Sequence, residues 1–187
     1  LMADLGAAHS LAKRLTIRDW KAQYRQSLLG VGWAFATPVL NTLVWLFLQQ
    51  SGIISIADTG LPFAAYVFSG TMIWSIFSES VHMPLRSTQQ ARSMLKKINF
   101  PKEALLLSGL YKVFGNMLIR ILLVSLFFMY WGIWPKVQVL ALPFFLLMLV
   151  VMGSGIGIWL TTLGMLYHDV GRFLPYGLQG LMYISPV

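Results

Sequence analysis

Ser108, Lys112, Asn116 and Arg120 follow one another at four-residue steps inside an apolar stretch. On a helix that spacing stacks them along one slowly drifting face. Polar groups set in hydrocarbon are costly and generally face a bundle interior or a wet cavity. Lys112 is close enough to the edge of the stretch for its ammonium to snorkel to water. Arg120 lies deeper, about 12 Å further along a helix rising 1.5 Å per residue. Its natural counter-charge is Glu79, close to the end of the preceding apolar run and expected at a similar depth. Two readings of this group stay open: a cationic wall for an anionic headgroup, or a structural ion pair that holds two helices together.

The chemistry that is missing narrows the field. The chain has no G-x-x-x-x-G-K-[ST] nucleotide loop, no H-E-x-x-H and no G-x-S-x-G elbow. Its six acidic residues are dispersed, so the clustered carboxylates or nucleophile-and-base pair of a hydrolase or transferase are not visible. Without cysteine there is no disulfide framework, Cys-ligated zinc site or thiol nucleophile. The chain is therefore expected to be no enzyme and to hold no cofactor or metal of its own. Any energy it uses must be consumed by another subunit.

The elements that carry these residues are membrane spans. Apolar residues make up 57% of the 187 and charged residues 11%, against about 25% charged in an ordinary soluble domain. A helix needs roughly 20 predominantly apolar residues to cross a bilayer. Runs of that kind lie at about 33–54, 61–81, 105–131 and 139–166. A fifth run, from Phe173 to Val187, has 15 residues, short of a full crossing, and is expected to be cut off or broken, the chain being a fragment. The fold class expected is an all-α integral membrane protein: an N-terminal segment, 1–32, then a transmembrane domain, 33–187, with about five spans.

Charge placement orients the spans. Lys13, Arg14, Arg18, Lys21 and Arg25 precede the first, and Arg86, Arg92, Lys96, Lys97 and Lys102 fill the segment 82–104 after the second, while the intervening Asp58-Thr59-Gly60 link has no Lys or Arg. By the positive-inside rule the N-terminus and the 82–104 loop are cytoplasmic and Asp58 is outside. The turn Tyr167–Arg172 then returns to the cytoplasm. The same rule accounts for the net charge of +8 without nucleic acid.

On a helical wheel Arg14, Arg18, Lys21 and Arg25 form one stripe, Ile17, Trp20, Tyr24 and Leu28 the stripe beside it, and Asp19, Gln23 and Gln26 the remaining polar side. An apolar face bordered by basic residues is the pattern of a helix lying in the membrane interface. Leu11 and Leu15 fall off that stripe, so the amphipathic part is expected to begin near Thr16. In the fourth span Gly153, Gly157 and Gly164 permit close helix approach. Trp33, Phe63, Tyr66, Tyr130, Trp131 and Trp134 fit interfacial aromatic belts, whereas Trp45, Trp74, Phe77 and Trp159 lie deeper and suit lipid-facing or core packing better than sugar stacking.

Three ordered segments carry a family resemblance. Residues 18–33, R-D-W-K-A-Q-Y-R-Q-S-L-L-G-V-G-W, followed by Pro38, resemble the entry segment of the permeases of ABC polysaccharide exporters, the family of O-antigen, capsule and teichoic-acid exporters. Lys96-Lys97-Ile98-Asn99-Phe100-Pro101-Lys102-Glu103 resembles that family's K-K-x-x-F-P-R-E stretch, and Tyr167-His168-Asp169-Val170 its Y-R-D-V turn. Ile184-Ser185-Pro186-Val187 is similar to the Ser-Pro end of the fifth span. Gln23, Gln26 and His168 depart from the pattern. The likeness covers essentially the whole chain, and six spans are expected in the complete protein.

The resemblance implies a half-transporter in the bacterial cytoplasmic membrane: two such permeases form the pathway, and two copies of a separate ATPase, which hold the ATP and Mg, bind below. Arg92, Lys96, Lys97, Phe100, Pro101, Lys102 and Glu103 would then belong to the loop that docks into the ATPase, and Arg18, Asp19, Lys21, Tyr24 and Arg25 to an interfacial collar. The cargo implied is a lipid-linked glycan whose diphosphate is drawn to cations at the cytoplasmic mouth. A related efflux permease for a drug-sized or lipid substrate is the alternative, with a membrane-bound glycan-modifying enzyme or a proton-coupled flippase further behind.

Overall fold

The computed structural model describes residues 11–18, 33–52, 60–95, 102–134 and 137–185. Among them the chain is all-helical and holds no strand: α1 (11–18), α2 (Trp33–Gln50), α3 (Phe63–Leu95), α4 (Lys102–Tyr130), a 3-10 turn (Val137–Ala141), α5 (Leu142–Leu166) and α6 (His168–Ile184). Among the described residues two helices, within Ala104–Tyr130 and Val139–Leu166, are long and apolar enough to cross a membrane by length and composition. Only 11% and 17% of their most apolar windows are buried within the chain. A soluble core helix of that composition would be mostly buried; these turn Leu118, Leu122 and Met129 of α4 and Phe144, Phe145, Val151 and Trp159 of α5 outward. Apolar faces this broad are stable in lipid and a liability in water.

The long helix α3 is the hub, packing against α2, α4, α5 and α6. Its Ile76 and Met83 meet Val113 and Met117 of α4 and Leu146 and Val150 of α5 in one buried cluster. Phe68 of α3 stacks on Phe127 of α4 with ring centroids 4.6 Å apart.

The glycines of α5 set how closely it approaches α3. A Cβ at Gly153 would come within 2.8 Å of Ser80 Cβ, one at Gly157 would collide with the Val81 carbonyl oxygen, and one at Gly164 would lie 2.7 Å from Leu85 Cδ1. The packing reading of Gly153, Gly157 and Gly164 therefore matches what the bare backbone touches, whereas Gly155 faces open space.

Two boundaries differ from the sequence reading, and a third element goes beyond it. The segment 82–104, read as a loop in which Pro84 and Pro101 bracket a helix-compatible stretch, is helical already at its start, because α3 runs on through Pro84 to Leu95 and Lys102 and Glu103 begin α4. Proline removes one backbone bond and crowds the preceding turn. Here the ring is buried in the gap left by Gly157, whose added Cβ would sit 2.9 Å from Pro84 Cδ, and the Thr88 hydroxyl donates to the Pro84 carbonyl at 2.8 Å. The turn expected at Tyr167–Arg172 shrinks to Tyr167, extended at φ −118° and ψ 112°, and α6 starts at once with Asp169 in its first turn, where a carboxylate suits the helix dipole. Helix is present ahead of the amphipathic part expected from Thr16: residues 11–18 are helical and Ala12 is fully buried, so this turn uses a protein-facing side that a wheel drawn for the bilayer alone does not anticipate.

Candidate functional site

Glu79 stands on α3 beside the fully buried Ser80, and Asn116 and Arg120 stand one turn apart on α4. The facing helices bring the three together. Arg120 Nη1 is 2.6 Å from Glu79 Oε2, and Asn116 Nδ2 donates to Glu79 Oε1 at 2.5 Å. The Arg120 side chain is 13% exposed and that of Glu79 21%. The close Nη1 to Oε2 approach is a Coulombic contact without hydrogen-bond alignment, and Arg120 Nε and Asn116 Oδ1 are also buried without a hydrogen-bond partner among the described residues. A guanidinium offers five donors and a carboxylate about four acceptor positions, so the cluster joins α3 to α4 with polar capacity to spare.

Its depth differs from the sequence expectation. Glu79 was placed near the cytoplasmic end of the second span, but α3 continues well beyond it to Leu95. The neighbouring Ser80 packs against Gly153, close to the middle of α5. The pair is therefore level with the centre of the apolar helices, not with their mouth. There an unpaired charge is most costly, and the carboxylate in contact with Arg120 offsets much of that cost.

The remaining predicted residues are distributed elsewhere. Ser108 is buried on the same helix and bonds within it, its hydroxyl donating to the Leu105 carbonyl at 2.9 Å. Lys112 is half-buried on α4, two turns before Arg120 and nearer the Lys102 end. Arg92 lies in the last turns of α3, and Lys102 and Glu103 in the first turn of α4; their side chains, and Lys96, Lys97, Phe100 and Pro101 entirely, lie outside the described residues. Arg18 is exposed at the end of α1, while Asp19, Lys21, Tyr24 and Arg25 lie outside them too. Among the described residues no group of three His, Asp or Glu side chains could hold a metal ion.

Two contacts were not anticipated from sequence. The Thr16 hydroxyl, which donates to the Ala12 carbonyl at 2.8 Å, also lies 3.3 Å from the Ser108 carbonyl, so α1 rests against α4 there. Trp45 of α2 lies 5.8 Å from Tyr183 of α6, centroid to centroid, bringing helices distant in sequence side by side. Neither pair is signalled by spacing, because partners far apart in sequence share no periodicity.

The membrane-family pattern described as ABC-2 type transporter matches residues 10–187. An O-antigen export system permease protein, RfbA, of Klebsiella pneumoniae is 25% identical over 186 residues, which cover 98% of this chain and 70% of that protein. RfbA of Myxococcus xanthus is 26% identical over 188 residues, 100% of this chain and 71% of that protein. With an all-helical fold, two apolar helices that leave most of their surface outside the core, and a family match spanning nearly its whole length, this chain belongs to the ABC-2 type transporter membrane family.

Proposed function

We propose that this permease moves a lipid-linked polysaccharide of the O-antigen, capsule or teichoic-acid type outward across the bacterial cytoplasmic membrane, driven by ATP hydrolysed on a separate subunit. The single observation that carries this reading is the end-to-end similarity to permeases named for O-antigen export. Two copies of the chain would enclose the pathway and two ATPases would bind on the side where α3 ends and α4 begins. The segment between Arg92 and Glu103 is the natural docking point, since it is basic and joins two long helices that would move with it. The Glu79, Asn116 and Arg120 cluster acts in this scheme as an internal brace between α3 and α4. Its charges face one another at 2.6 Å, which leaves them poorly disposed to hold a passing diphosphate.

The test is deletion of the gene in its native host. Loss of the surface polysaccharide, with lipid-linked glycan accumulating inside and both defects reversed by the wild-type gene only when the ATPase is active, is the expected result. Unchanged surface glycan together with increased sensitivity to a small toxic amphiphile would replace the proposal with drug or lipid efflux.

A further inference from the structure

Beside α1 the surface has a cleft of about 370 Å³ lined by Lys13, Thr16, Ile17 and Tyr111. Its lining is mostly apolar, with the cation of Lys13 and the phenol of Tyr111 beside an exposed isoleucine, while the Thr16 hydroxyl donates to the Ala12 carbonyl at 2.8 Å. Arg14, on the same short helix, is exposed as well.

The level of the cleft in the bundle follows from the packing. Thr16 Oγ1 lies 3.3 Å from the Ser108 carbonyl; the adjacent Gly109 packs on Met83 and Ser87 of α3, and Leu85 of α3 packs on Gly164, two residues before α5 ends at Leu166. The cleft therefore lies where the apolar α5 stops, which for a spanning helix is the boundary between hydrocarbon and headgroups. Tyrosine and lysine are the side chains that suit that boundary, one with an amphipathic ring and the other with a snorkelling stem.

A second feature points to what fills it. From Tyr111, steps of seven, four and seven residues along α4 reach Leu118, Leu122 and Met129, so the four lie on one face. Leu118 is 64% exposed, Leu122 60% and Met129 68%. A mostly apolar cleft with one lysine at its side, at the headgroup level, thus continues into an exposed apolar strip running toward the bilayer centre. A free phosphate would use the first part and leave the second bare; a lipid with an anionic headgroup uses both.

We propose that the cleft between α1 and α4 is a binding site for an anionic phospholipid of the adjoining leaflet, its phosphate beside Lys13 and Tyr111 and an acyl chain along Leu118 and Leu122. Such a lipid ties α1 to the bundle, giving the N-terminal helix a firm seat that depends on lipid charge. The inference rests on the membrane-spanning fold and not on the identity of the cargo.

Purified permease in mild detergent, offered phosphatidylglycerol or phosphatidylcholine of the same chain length and examined by native mass spectrometry, tests it. Phosphatidylglycerol should be retained in preference. Lys13→Gln should lower its retention about fivefold, from the worth of one basic residue near an anionic lipid surface, with phosphatidylcholine unchanged. Lys13→Arg should keep the preference, and Tyr111→Phe should weaken it. Equal retention of the two lipids by the wild type, or a preference that survives Lys13→Gln, overturns the site. Displacement of bound phosphatidylglycerol by equimolar polyprenyl phosphate would overturn the phospholipid assignment in favour of a transported carrier lipid.

Discussion

Replacing Glu79 with glutamine isolates the charge of the α3 to α4 brace, because Gln keeps the shape and an oxygen able to accept from Asn116 Nδ2, as Glu79 Oε1 does at 2.5 Å. What disappears is the counter-charge 2.6 Å from Arg120 Nη1. Breaking a truly buried pair by removing one partner costs on the order of 3–5 kcal/mol, since it strands the other charge. Glu79 retains 21% of its exposure and Arg120 13%, so the low end, about 3 kcal/mol, is the appropriate figure. That corresponds to roughly a hundredfold in the folding equilibrium. The assay is the melting curve and folded yield of detergent-extracted permease for Glu79→Gln, Arg120→Gln and the double variant. Each single variant should melt several degrees below wild type, with the double variant recovering much of the loss and supporting export. Zero coupling energy across the cycle, or a Glu79→Gln variant that melts like wild type, would refute the brace. A double variant that folds normally yet exports nothing would return Arg120 to the substrate pathway.

Gly157→Ala should destabilise by about 1–3 kcal/mol through overpacking, because its new Cβ meets the Val81 carbonyl and the Pro84 ring, whereas Gly155→Ala enters open space and should be neutral or slightly stabilising; paired thermal melts compare them. Single cysteines at Asp58 and Gln89 should react with an impermeant thiol reagent from opposite sides of the membrane, and same-side labelling would overturn the orientation drawn from the basic residues. A cysteine at Met94 should crosslink to the ATPase. Changing Arg92, Lys96 and Lys97 together to glutamine should reduce export while leaving insertion intact, and full export by that variant with the ATPase still bound would remove the segment's coupling role.

The all-helical membrane class was legible from composition, because a bilayer demands apolar length and little else. The fourth apolar run, 139–166, coincides with one candidate span, and the third differs from the other only at its ends. The ends of helices that leave the apolar run were harder to read. The stretch after Pro84 reads as compatible with helix, but not as a continuation of the second span, and the helix passes unbroken through Pro84 because the ring fits against a glycine contributed by α5. No single segment carries that information. The electrostatic partner of Arg120 was readable as the acidic residue expected at a similar depth on the preceding span, whereas the distance of the pair from the end of α3 was not, since that depends on how far the helix extends past Glu79. The cleft at Lys13 and Tyr111 is not readable from the sequence because its two sides are separated by more than half the length of the chain.

The length of α3 has a mechanical consequence. Its 33 residues form a rod of about 50 Å, held against Gly153 at Ser80, close to its midpoint. From that support one arm reaches about 25 Å to Phe63 and the other about 22 Å to Leu95. A seesaw with nearly equal arms converts a sideways push of about 2 Å at the Leu95 tip into an opposite swing of similar size at the Phe63 end. Pro84 is the joint that would otherwise absorb the push by bending, and it is wedged against Gly157. Loosening that wedge would let the Leu95 arm flex by itself, so force applied at that tip would no longer arrive at the Phe63 end.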